Sequence, residues 1–138
     1  MALTPQSSGV DSLESISVTS QPNKTYKMQI EAERIIGNTS TPLEAIEQAC
    51  YKALNTERYA YAIYSWNYGI ELQSLFGKPY VYAIGVLPQR ISDCLLVDDR
   101  IQKIDNFDFK YSNHIVTCTF TVTTYFGETL NLTKEVTI

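Results

Sequence analysis

Residues 116–123 alternate without a slip. Val116, Cys118, Phe120 and Val122 are apolar, and Thr117, Thr119, Thr121 and Thr123 stand between and after them. Successive side chains of a strand point to opposite faces, so the run predicts a strand with one buried and one polar face. Sheets built from such strands are antiparallel and need cover on one side only. Ser112-Asn113 and Phe126-Gly127-Glu128 read as turns on either side. The stretch 101–109 before them carries Ile104, Phe107 and Phe109, and Leu130, Leu132, Val136 and Ile138 follow. The last third of the chain therefore predicts a three-stranded antiparallel meander.

Two helices can supply the cover. Thr41-Pro42-Leu43-Glu44 places a capping hydroxyl, a proline at the first helical position and an acid at N3, a capping box for amides that a helix start leaves unpaired. Leu43, Ile46, Cys50 and Leu54, with Ala49 and Ala53, then follow helical spacing, which predicts a helix over 42–54. A second helix is expected within 80–97, where Val81, Ile84, Leu87, Ile91 and Leu95 form one stripe. Pro88 lacks an amide proton and crowds the preceding turn, so this helix either kinks or restarts there, and Gly85 eases a break.

The remaining segments predict strands and loops. Tyr26, Met28 and Ile30 alternate with Lys27 and Gln29 as in a half-buried strand, and Arg34-Ile35-Ile36 supplies a hairpin partner closed by Gly37-Asn38. Residues 58–66 (RYAYAIYSW) are rich in strand formers and read as a further strand, with Asn67-Tyr68-Gly69 as a turn and a short ordered piece over 70–76. The fold expected is α+β: two helices on one face of a mainly antiparallel sheet that ends in the meander. Residues 1–23 are Ser-, Thr-, Gln- and Pro-rich, with only Leu13, Ile16 and Val18 as sparse apolar positions. They read as a flexible arm, or a segment that orders on a partner, ahead of one domain over 24–138.

Composition narrows the function classes. The net charge of −4 and eleven scattered Lys and Arg make no basic patch for nucleic acid and no polybasic membrane anchor. No apolar run nears the roughly 18 residues needed to span a bilayer, and the start MALTPQSSG lacks the basic and apolar regions of a secretory signal. Cys50, Cys94 and Cys118 are spaced for neither zinc nor a redox pair and read as buried thiols.

No catalytic, cofactor-binding or metal-ligating set emerges. Glu57, Glu71, Asp93, Asp98 and Asp99 give no reason to pair two carboxylates across a bond as a glycosidase does, roughly 5–9.5 Å apart. His114, the single histidine, sits beside a turn rather than a candidate nucleophile, and Asp105 and Asp108 lack calcium-loop spacing. The chain instead offers ten tyrosines, seven of them (Tyr51, Tyr59, Tyr61, Tyr64, Tyr68, Tyr80, Tyr82) in its middle. Tyr and Trp join an apolar body to a polar tip, which suits either a core between sheet and helices or a partner surface.

The stretch Asn55-Thr56-Glu57-Arg58, then Ile63-Tyr64-Ser65-Trp66-Asn67-Tyr68-Gly69-Ile70-Glu71-Leu72 and Leu75-Phe76-Gly77, followed later by Asp98-Asp99-Arg100-Ile101, resembles the baseplate wedge proteins of contractile phage tails, in the PBSX-like prophage branch. The wider family carries Gly-Glu-Arg, an aromatic-Gly-x-x-Leu stretch and a later Glu-Pro-Arg-Ile. Here no Gly precedes Glu57, the interval from Arg58 to Gly69 is longer, and Asp98-Asp99 replace Glu-Pro. Members have been labelled lysozyme-like, so the enzymatic alternative is a peptidoglycan-cleaving tail lysozyme. The resemblance itself implies a non-enzymatic subunit in six copies per baseplate, in the tail of a phage, prophage or bacteriocin particle assembled in the bacterial cytoplasm. Its implied partners are other wedge proteins, the sheath subunit and tube or hub proteins, with no nucleic acid and no membrane. It also implies that the subunit templates the first sheath ring through strand pairing. The residues proposed for these contacts are Arg58, Tyr64, Trp66, Tyr68, Asp98, Arg100, Leu130, Leu132, Val136 and Ile138. Two versions stand open for Arg58 and Arg100: reaching a neighbouring subunit, or pinning the two motifs within this one.

Overall fold

The computed structural model describes residues 24–138. The expectations for 1–23 lie outside the described residues. A hairpin of β1 (Tyr26–Gln29) and β2 (Arg34–Asn38) leads into helix α1 (Pro42–Leu54). A 3-10 turn (Gln73–Leu75) precedes helix α2 (Tyr80–Leu95), and the chain closes with β3 (Ile101–Ser112), β4 (Ile115–Thr124) and β5 (Thr129–Thr137). β1 and β2 form one antiparallel pair; the second sheet has the order β3-β4-β5, antiparallel throughout.

The alternation over 116–123 does what its period demands. Val116, Cys118, Phe120, Val122 and Thr124 are buried, and the intervening threonines are not. The buried face meets Ile46, Cys50 and Leu54 of α1 and Ile91, Cys94 and Leu95 of α2 in one cluster, with Leu75, Ala83, Leu87, Val116 and Val136 in a second. Both helices thus cover one face of the meander, the α+β arrangement expected. Each fully buried side chain of this kind removes apolar area worth about 1.5–3 kcal/mol from water.

α1 starts and stops where its signals stand. Thr41 Oγ1 accepts from the Glu44 amide at 3.2 Å, as a capping box requires. The returning carboxylate is displaced by one residue: Glu44 accepts from the Ser40 amide at 2.9 Å instead of the Thr41 amide. It also pairs with Lys27 of β1, and these contacts hold its carboxyl down at about 2. α2 runs through Pro88 as one helix, so the restart does not occur.

Two expectations are corrected. Residues 58–66 form no strand; they are irregular, and the one ladder contact nearby is a parallel bridge of Glu57 with Ile70. Strand-forming residues need a neighbouring edge, and here the Arg58 amide bonds Ile70 at 3.0 Å while Tyr59 turns to φ +67°, which breaks extension at once. The hairpin forms, but it is not half-buried: Tyr26 and Ile35 are 69% and 67% exposed, and only Met28 of β1 is partly covered. Its reversal falls at 30–33. Gly37 lies inside β2, at φ +59°, beside the register shift between the two strands.

Candidate partner interface

Arg58 is the hinge pin of the irregular segment. Its Nε donates to the Gly69 carbonyl at 3.1 Å, and its Nη2 to the carbonyls of Asn67 (3.4 Å) and Asp93 (3.1 Å). Glu71 lies 3.7 Å from Nη1, and the side chain is only 14% exposed. Asp93 is in the last turn of α2, where unpaired carbonyls and the helix dipole favour a cation. Next to it, the Glu57 carboxylate accepts the amides of Leu72 (3.0 Å) and Gln73 (3.2 Å), which caps the 3-10 turn. Arg90 Nη1 adds bonds of 2.6 Å to the Glu71 carbonyl and to Ser74 Oγ. Gly69 is required by contact as well as by its φ of +99°, since a Cβ there would stand 2.6 Å from the Thr56 carbonyl oxygen.

The second motif folds on itself. Asp98 accepts from the Arg100 amide (3.0 Å), Nε (2.8 Å) and Nη2 (2.5 Å), and the Arg100 carbonyl accepts the Tyr125 amide at 3.1 Å. Burial pushes the Asp98 carboxyl up, but the hydrogen bonds from Arg100 outweigh it and leave it below the ordinary carboxylate value. Tyr68 and Asp98–Arg100 line one cavity of about 550 Å³, floored by Ala45, Ala49 and Cys50 of α1, so the two motifs do meet in space. The cavity is poorly equipped for chemistry. Of its two carboxylates Asp98 is paired with Arg100, and burial pushes the Cys50 thiol up to about 12 and the Cys94 thiol up to about 11. Among the described residues no cluster of His, Cys, Asp and Glu is placed to hold a metal, and no helix is long and apolar enough to cross a membrane.

Between the pinned ends, the segment displays aromatic rings. Ile63 is 86% exposed, Trp66 79% and Tyr59 68%, with Tyr61 and Phe76 more than half exposed. The rings are ordered among themselves: Tyr64 stacks on Tyr68 at 4.6 Å, and Tyr61 meets Tyr64 edge-on at 6.2 Å. A loop held at both ends that presents rigid, uncharged aromatics has the make-up of an interface anchor.

The third candidate region is β5. Leu130, Leu132, Val136 and Ile138 face the helices and pack against the two clusters, so these side chains are not on the outer edge. The edge is offered by backbone. Ile138 N–H bonds His114 at 2.9 Å and Thr124 N–H bonds Glu128 at 2.9 Å, and the register between them is unbroken. Antiparallel pairs alternate in bonding, so even-numbered residues of β5 bond β4, and Thr129, Asn131, Thr133, Glu135 and Thr137 turn their N–H and C=O outward. The sequence places Glu57 in the first motif but does not announce it as the cap of the 3-10 turn, and it does not single out Arg90 or Gln48. The Gln48 amide bonds Met28 N–H and the Tyr26 carbonyl at 2.7 Å each, taking the place of a strand beside β1. Gln48 lies seven residues, about two helical turns, after the Thr41 cap, and no sequence motif marks it.

A pinned motif pair, an open backbone edge and an exposed aromatic loop are features suited to contact with other chains. Residues 24–127 match the family model of the contractile injection system sheath initiator, and the chain belongs to that family. Its role is accordingly structural, in the assembly of a contractile tail sheath. It is 39% identical over 127 residues to the Phage-like element PBSX protein XkdS of Bacillus subtilis (strain 168), across 90% of this chain and 89% of that protein.

Proposed function

We propose that this chain starts the sheath by offering β5 as a template strand to an extended segment of the first sheath ring. The observation that carries this reading is the bare edge of β5: nine consecutive pairs to β4, no register shift, no proline and two charged residues. Proteins blunt an edge that is not to be used. Strand addition there supplies main-chain bonds for affinity and alternate side chains for register. In the same reading the subunit sits in the tail baseplate of a phage, prophage or bacteriocin particle, in six copies around the tube. The aromatic loop (Tyr64 and Trp66, with Tyr68 behind them) and the motif carrying Asp98 and Arg100 face the wedge, tube or hub proteins. Arg58 contributes to that contact by holding the loop in its displayed form.

The test is Thr133→Pro. Thr133 directs its amide outward, so proline removes a donor for the incoming strand and none used by β4. Sheath polymerisation seeded by baseplates carrying this variant is expected to fail although the subunit stays folded and incorporated. Normal seeding would overturn the reading.

A further inference from the structure

A groove of about 720 Å³ runs along the open edge of β5, between that strand, α1 and β1. An added strand would lay its helix-side residues into this groove, so the groove describes the partner. Its charges are unevenly placed. Lys27 and Glu44 satisfy each other, and Glu135, also in the lining, alternates with Lys134 and so directs its side chain to the opposite face of the sheet. Lys134, at one end, points to the helix side, where Asn55 Oδ1 accepts from its ammonium at 2.8 Å, and no carboxylate among the described residues lies in salt-bridge range. Burial pushes this ammonium below the ordinary lysine value, the mark of a cation taken from water without a counter-charge. Glu47, at the other end, likewise has no cation among the described residues. Between them the wall is apolar, formed by Tyr51, Leu54 and Leu132.

Resting on the strand-addition reading, we infer that the groove selects an extended segment of the sheath subunit with an acid against Lys134, an apolar residue against Leu132 and a base toward Glu47. Glu47 and Asn55 are two helical turns apart, roughly 12 Å at 1.5 Å per residue. That is about four strand residues, so acid, apolar residue and base fall on alternate positions of the same face. The order fixes register: a two-residue slip in either direction places the acid or the base against Leu132, and each misplacement removes a pairing while keeping the backbone bonds. Lys134 then gains in the assembly the counter-charge it lacks in the free chain.

The experiment uses the full chain and the purified sheath subunit of the same particle, with seeding efficiency measured at low and high salt. Lys134→Glu and Glu47→Lys are each expected to lower seeding at least tenfold at low salt, and Lys134→Met less than Lys134→Glu. Lys134→Arg is expected to retain it. Thermal melts of every variant establish that it is folded; if Lys134→Glu is not, Lys134→Met and Glu47→Lys decide. Unchanged seeding by these folded variants, while Thr133→Pro abolishes it, would overturn the charge register and leave strand addition standing. Unchanged seeding by Thr133→Pro would overturn both.

Discussion

β3 carries two register shifts against β4, a left-handed Asn106 at φ +56° and four charged side chains, whereas β5 pairs with the other side of β4 through nine consecutive positions. Both strands are sheet edges. Bulges bend an edge away from a passing strand, and charge makes its desolvation costly, so β3 is finished as a boundary. β5 has no register shift, and Lys134 and Glu135 are its only charged side chains. Lys103 and Asp105 of β3 even pair with each other between the two register shifts, at 2.5 Å, which spends the charge on the chain itself. On the proposed reading, this difference puts the edge used for strand addition on the β5 side of the sheet.

The largest expected effect tests the sheet that both edges share. Phe120→Ala, at the centre of β4, should cost about 3–5 kcal/mol in a denaturant titration, because the side chain is 1% exposed and touches both helices' cluster. A cost below about 1 kcal/mol would mean that the two edges are not held by a common core. Next, Arg58→Ala removes three charge-assisted bonds from one guanidinium and is expected to lower stability by about 1.5–3 kcal/mol, whereas Trp66→Ala should stay within about 0.5 kcal/mol and act on baseplate incorporation instead. Equal losses of stability from both would move the aromatic loop from the surface into the fold.

Legibility in the sequence followed the reach of the interactions involved. The meander and α1 were readable because period and capping are local, and Thr41, Pro42 and the alternation from Val116 announce themselves. The segment 58–66 was misread because alternation between tyrosine and alanine says strand only if an edge is present to receive it. What decides its shape is Arg58, whose partners lie 9, 11 and 35 residues away. The exposure of Tyr26 and Ile35 was hidden for a related reason: nothing local reports that the outer backbone edge of β1 would be met by the Gln48 side chain in place of a strand. On β5, Leu130, Leu132, Val136 and Ile138 drew attention as the apolar residues, while the edge itself is made of the backbone of the residues between them.

A smaller effect sharpens the comparison from the hairpin side. Glu44 titrates at about 2 in the fold against 4.5 for a free side chain, so its capping contribution is full above pH 4.5 and is lost as the pH falls toward 2. Lys27→Met is expected to raise that pH window and loosen the hairpin, read as faster amide exchange in β1, with exchange in β3, β4 and β5 unchanged. Exchange that rises equally in the meander would contradict the separation of the two sheets.

Hydrogen exchange on the assembled particle addresses the central claim most directly. In the free chain the amides of Thr129, Asn131, Thr133, Glu135 and Thr137 should exchange rapidly, as outward donors on an open edge. With the first sheath ring in place, these five are expected to become protected while the outward amides of β3 keep their free-chain rates. Protection along β3 with β5 unchanged, or no new protection on either strand, would contradict the account.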